Sequence, residues 1–127
     1  MSDLGIREKG NVVVVSFPDI RLVDETRIAD IGAQFNDFAS EFPKKHILLN
    51  FDNVKFMSSS MIGKIVKLSK DCKQRGRELR ICELSPEIDE LFRMMNLDQH
   101  IGLHKREASG IEILQRKQKW FLGRKTK

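Results

Sequence analysis

The sequence predicts a single α/β domain, in which about four helices pack on a mostly parallel four- to five-stranded sheet whose edge is an N-terminal antiparallel hairpin. Three observations predict it. Short apolar runs recur along the 127-residue chain at Val12-Val13-Val14-Val15, Ile47-Leu48-Leu49 and around Ile81, short enough to be buried strands. Segments with apolar residues at steps of three and four alternate with these runs. Finally, 40% apolar residues over this length suffice for one core, and there is neither an internal repeat nor a low-complexity linker.

Taken in order, residues 4–8 and 11–17 read as two strands joined at Lys9-Gly10. The second is β-branched throughout its centre, so it lies inside the sheet, covered on both faces. Asp24 is placed to cap the first helix, whose stripe is Ile28, Ile31, Phe35, Phe38 and Phe42. Leu22 and Val23 precede that cap, where they either staple the helix start or stay exposed for a partner. Pro43 stops the helix. A strand follows at 46–51, then the stretch Phe56-Met57-Ser58-Ser59-Ser60-Met61-Ile62-Gly63, then a helix burying Ile62, Ile65, Val66 and Cys72 with Lys64, Lys67 and Lys70 outward. Gly76 ends it. Residues 78–82 form the next strand. Ser85-Pro86-Glu87 combines a cap, a proline at the first helical position and an acid in the first turn, and Ile88, Leu91, Phe92 and Met95 make the apolar side of that helix. A strand at 101–104 and a last helix near 106–118 complete the pattern, although Ser109-Gly110 lowers the propensity of the latter.

Charge divides the chain unevenly. The net charge is +5, yet Arg116, Lys117, Lys119, Arg124, Lys125 and Lys127 all fall in residues 115–127 without an acidic neighbour, which leaves 17 basic against 18 acidic residues in 1–114. The expected organisation is thus a domain over 1–114 and a basic tail or helix extension over 115–127. Trp120-Phe121-Leu122 among those cations could lie on an anionic membrane, but one apolar triplet supplies little insertion energy, and a helix extension whose tryptophan folds back is the expectation. The basic run of residues 64–80 is read as the solvated face of a helix; with no aromatic residues interleaved, nucleic acid is not expected as a partner. No run is long enough to span a membrane, and the opening residues lack a signal peptide's apolar core, so a cytoplasmic protein is expected. Cys72 and Cys82 are read as buried reduced thiols.

Three hydroxyls at a helix start can cap it, and that end of the helix favours an acceptor oxygen and a phosphate still more. A nucleophilic serine is not indicated, because the glycines of a nucleophile elbow are missing and His46, His100 and His104 follow no pattern that would supply its base. His100 and His104 lack a third ligand and are read as surface histidines. Met94 and Met95 are read as core filler and rim. Neither a metal nor another cofactor is expected, and no catalytic residue is assigned.

The order of elements, together with the Ser-Ser helix start, resembles the STAS domain of anti-sigma-factor antagonists over roughly residues 5–114. The family's motif is an apolar strand, a short loop and then Asp-Ser-Ser-Gly-Leu-Gly opening a helix. Here Ser59 takes the position that is phosphorylated in the family, ahead of its neighbours Ser58 and Ser60; Ser60 is the second serine, Ile62 the leucine and Gly63 the final glycine. Ser58 stands where the family has Asp, and Met61 where it has Gly. The resemblance implies an anti-sigma-factor antagonist without catalytic activity, one that captures an anti-sigma factor with serine kinase activity while unphosphorylated and is reset by a serine phosphatase, regulating transcription indirectly. It implies partner binding through Leu22, Val23, Asp24, Met57, Ser58, Ser60, Met61 and Lys64. The alternative within the same family is a scaffold module of a signalling assembly that is never phosphorylated. Oligomeric state is left open, since an edge strand and an apolar patch serve a partner and a self-contact equally.

Overall fold

A computed structural model describes residues 3–125 of the chain, with side chains described for residues 3–117. The hairpin of β1 (Gly5–Lys9) and β2 (Val12–Ser16) is followed by a two-residue strand β3 (Arg21–Leu22) and helix α1 (Glu25–Glu41). Next come β4 (His46–Asn50), a second two-residue strand β5 (Phe56–Met57) and α2 (Ser59–Gln74). The chain then forms β6 (Leu79–Cys82), α3 (Pro86–Met94), a 3-10 turn (Leu97–Gln99), β7 (Gly102–His104) and α4 (Glu107–Lys125). The main sheet has the order β1-β2-β4-β6-β7, with β1 antiparallel to β2 and every other neighbour parallel. The α/β class, the edge hairpin and the four helices agree with the expectation.

Alternation along the strands divides two cores. Val13, Val15, Ile47, Leu49, Leu79 and Ile81 face α1, α2 and α3, meeting Ile28, Ile31, Phe35, Ile62, Ile65, Ile88 and Phe92. Phe17 stacks on Phe51 with ring centroids 4.7 Å apart and meets Phe35 edge-on. On the opposite face Val12, Val14, Leu48 and Cys82 meet Leu114 and Ile111 of α4. All four central valines of β2 are therefore fully buried, as a strand covered on both faces requires.

Several elements depart from expectation for tertiary reasons. Helix α4 forms despite Gly110 because the glycine is a contact point: a Cβ there would lie 2.7 Å from Leu48 Cδ1, so only a glycine lets the helix lie this close to β4. The helix also runs past residue 118, where it was expected to end, to Lys125. The reading of Trp120 folding back, and of the membrane contact, falls on side chains outside the described residues. Met94 and Met95 are exposed rather than core, because α3 ends at Met94 and Asn96 turns into the left-handed region before another turn can face the sheet. Cys72 and Cys82 are buried and unbridged, and burial pushes their thiols up to about 11 and about 12.

Candidate functional site

The two shortest strands position the site. β3 and β5 pair in parallel, Arg21 with Phe56 and Leu22 with Met57, so the chain segments that lead into α1 and α2 are laced together. The Ile20 carbonyl accepts from the amides of Lys55 (2.8 Å) and Phe56 (3.2 Å), and the Leu22 carbonyl accepts from the Ser58 amide (3.0 Å). Both helices consequently start side by side. Asp24 caps α1 from extended backbone and accepts from the Arg27 amide at 2.9 Å. Ser58 caps α2 in the same manner, accepting from the Met61 amide at 3.4 Å.

The three serines differ sharply in environment. Ser58 is half-buried and its hydroxyl is committed as the cap. Ser60, also half-buried, donates its hydroxyl to Glu25 Oε2 of α1 at 3.0 Å. Ser59 is the first residue of α2, exposed, and its hydroxyl makes no hydrogen bond among the described residues. The first turn of α2 carries no acidic residue, so the positive end of its dipole is not offset from within the helix. Of the three hydroxyls, this one combines accessibility with a position where added negative charge is favoured locally.

Two residues expected on the partner surface lie inside. Leu22 and Met61 are both 0% exposed. Leu22 points inward because the β3 backbone is paired on β5 and its side chain enters the main core. Met61 is one turn before Ile65 on the core stripe of α2, so helix phase buries it. Its bulk therefore lies in the core rather than at the surface next to Ser60. Val23 and Asp24 are exposed, while Met57, Ser58, Ser60 and Lys64 are half-buried at the surface.

The outward apolar surface is built instead from Ile20 (60% exposed), Phe56 (52%) and Val23 (39%). The Arg21 guanidinium lies over the Phe56 ring, 4.6 Å from its centroid. Sequence reading missed Ile20, Phe56 and Glu25. Alternation through Ile20-Arg21-Leu22-Val23 was the available signal, but a two-residue strand is too short to fix its phase.

No histidine hydrogen-bonds a serine hydroxyl among the described residues. His46 opens β4 at the opposite end of its strand from the β5–α2 segment, is buried, and accepts the Glu78 amide on Nδ1 at 3.0 Å; burial lowers its pKa. His104 pairs with Arg80 at 2.9 Å, and burial followed by the Arg80 charge lowers its pKa as well. Among the described residues no group of three or more His, Cys, Asp or Glu is arranged to hold a metal ion, and no helix is long and apolar enough to cross a membrane.

Residues 6–110 match the protein family described as the STAS domain. The anti-sigma F factor antagonist of Paenibacillus polymyxa is 30% identical over 71 residues, which cover 56% of this chain and 61% of that protein; the chain thus spans less than two thirds of this curated relative. Among solved structures, an anti-sigma-factor antagonist (STAS) domain protein from Planctomyces limnophilus superposes with a TM-score of 0.78 at 21% identity, covering 90% of this chain and 99% of that one. The Bacillus cell-fate determinant SpoIIAA in its phosphorylated form gives a TM-score of 0.65 at 19% identity, covering 86% and 96%. At these identities the two structures show a common fold.

Proposed function

The chain belongs to the STAS domain family, and from that premise we propose that it is an anti-sigma-factor antagonist whose docking on a serine kinase is controlled by phosphorylation of Ser59. The observation that carries this reading is the exposed, uncommitted Ser59 hydroxyl at the start of α2, between two serines whose hydroxyls are engaged. Unmodified, Ser59 sits beside the apolar ledge of Ile20, Val23 and Phe56, which a partner covers. The kinase transfers the γ-phosphoryl group of ATP to Ser59 Oγ: the new O–P bond forms as the bridge to the β-phosphate breaks, the hydroxyl proton leaves, and ADP departs. A phosphatase restores the hydroxyl by hydrolysis.

The modification adds roughly −1.5 to −2 charges, which a docked partner would have to desolvate. A penalty of about 3 kcal/mol suffices, since it lowers affinity about a hundredfold without any change of shape. The protein itself acts by binding, with the chemistry supplied by the kinase. The test is incubation with the candidate serine kinase and ATP, followed by mapping of phosphate by mass spectrometry. Stoichiometric labelling of Ser59, abolished in Ser59→Ala, supports the reading; undiminished labelling of Ser59→Ala overturns it.

A further inference from the structure

Two neighbouring hydroxyls open α2, and only one of them is assigned to the kinase. Ser59 and Ser60 are the first two residues of the helix, so both lie where its dipole favours negative charge, with no acidic residue of the first turn to offset it. The dipole therefore does not choose between them. Their surroundings do. Ser59 is exposed, whereas Ser60 is half-buried and donates its hydroxyl to Glu25 Oε2 at 3.0 Å.

Glu25 reaches Ser60 because the two helix starts are laced together. The pairing of β3 with β5 sets the start of α1 beside that of α2, and Glu25 is the first residue of α1, directly after the Asp24 cap. Its carboxylate makes no ion pair among the described residues. Lys64 and Lys67 line the same hollow as Glu25 and Ser60, yet neither pairs with that carboxylate, so its charge at Ser60 is not neutralised. The hollow, about 350 Å³, is larger than a phosphate group. What opposes a phosphate on Ser60 is charge rather than space.

We propose that Glu25 is a specificity-determining residue, whose carboxylate confines the modification to Ser59 by making Ser60 unfavourable for added negative charge. The proposal rests on the reading of Ser59 as the phosphorylated residue and names what keeps its neighbour bare. Transfer of the γ-phosphoryl group of ATP to Ser60 Oγ would form the new O–P bond, release ADP and remove the hydroxyl proton that Glu25 accepts. The hydrogen bond is then lost, and a group of roughly −1.5 to −2 charges is left against a carboxylate to which it no longer donates. At Ser59 the same transfer breaks no hydrogen bond made by the hydroxyl among the described residues. One glutamate thus separates two hydroxyls that the helix itself treats alike.

The test is a double-mutant cycle on the full chain in urea. Aspartate stands in for the added charge, and Glu25→Gln removes the carboxylate's charge while keeping an acceptor for Ser60. Ser60→Asp is expected to lower the folding equilibrium constant about fivefold more with Glu25 present than in the Glu25→Gln chain. The cost of Ser59→Asp is expected to change less than about twofold between the same two backgrounds. Coupling at Ser60 that is absent, equal to that at Ser59, or reversed in sign because the lysines outweigh the glutamate overturns the proposal. A kinase that labels the unsubstituted chain at Ser59 reads the consequence, with phosphate mapped by mass spectrometry. Ser59→Ala is expected to stay unlabelled and Ser59→Ala/Glu25→Gln to take phosphate on Ser60; phosphate on Ser60 of Ser59→Ala, or none on the double variant, overturns the proposal. The cycle needs no kinase, so the two readings fail separately. A chain labelled at Ser59 whose cycle shows no coupling loses the role of Glu25 alone. Coupling in a chain never labelled at Ser59 removes the switch and leaves the charge barrier at Ser60.

Discussion

Replacing the three consecutive serines by alanine, one at a time, is expected to give three different stabilities. Ser58 is the α2 cap, and losing its hydroxyl leaves the Met61 amide without its acceptor at the surface end of the helix. Cap removal costs about 0.5–2 kcal/mol, and a contact of 3.4 Å on a half-buried residue points to about 1 kcal/mol or less. Ser60→Ala loses one hydrogen bond to Glu25 with both groups near solvent, a cost of roughly 0.5 kcal/mol. Ser59→Ala removes a hydroxyl that makes no hydrogen bond among the described residues and places a strong helix former at the first helical position, so its effect is within about 0.3 kcal/mol of zero. Ser58→Asp restores the loss, because a carboxylate caps as well as a hydroxyl and interacts favourably with the dipole. Urea unfolding followed by far-ultraviolet circular dichroism gives the four midpoints under one set of conditions. Destabilisation by Ser59→Ala equal to that by Ser58→Ala would refute the division of labour on which the site assignment stands.

Further outcomes follow from burial. Met61→Ala, at a fully buried position, is expected to destabilise the fold by about 3 kcal/mol in the same urea assay, whereas an exposed methionine there would cost almost nothing. His46 is held neutral by burial, so its folded pKa lies below its ordinary value; the unfolded chain binds the proton first, and stability falls as pH drops below about 6.5, continuing until the folded group also titrates. His46→Gln should flatten that part of the urea-midpoint profile, and an unchanged slope would assign it to another group. Cys72 and Cys82 should resist a thiol reagent in the native chain at mildly alkaline pH and react fully once unfolded, in keeping with thiols raised to about 11 and about 12.

The features legible in the sequence are those set by local chemistry or by covering of both faces. Asp24 and Ser85 cap the helices their positions predict, Gly76 follows α2 with φ of 72°, and the four valines of β2 are buried together. What escaped depends on partners distant in the chain. β3 and β5 exist only because Arg21-Leu22 and Phe56-Met57 find each other across α1 and β4, and two residues carry no periodicity to read. That pairing sends Leu22 inward and Phe56 outward, which is why the apolar surface beside Ser59 differs in composition from the one expected. Gly110 reads as a weak point of α4 until Leu48 is found against it. Met61 was misplaced by its motif position, although its spacing from Ile65 already put it on the buried stripe of α2. Ser59, by contrast, is placed by motif alone, and it stands exposed at the first position of α2.

The most direct measurement is the affinity of the purified serine kinase for three forms of the chain: unmodified, phosphorylated on Ser59, and Ser59→Ala. The unmodified and alanine forms are expected to bind alike and the phosphorylated form about a hundredfold more weakly. Equal affinity for the phosphorylated and unmodified forms would contradict it and leave a constitutive scaffold in its place.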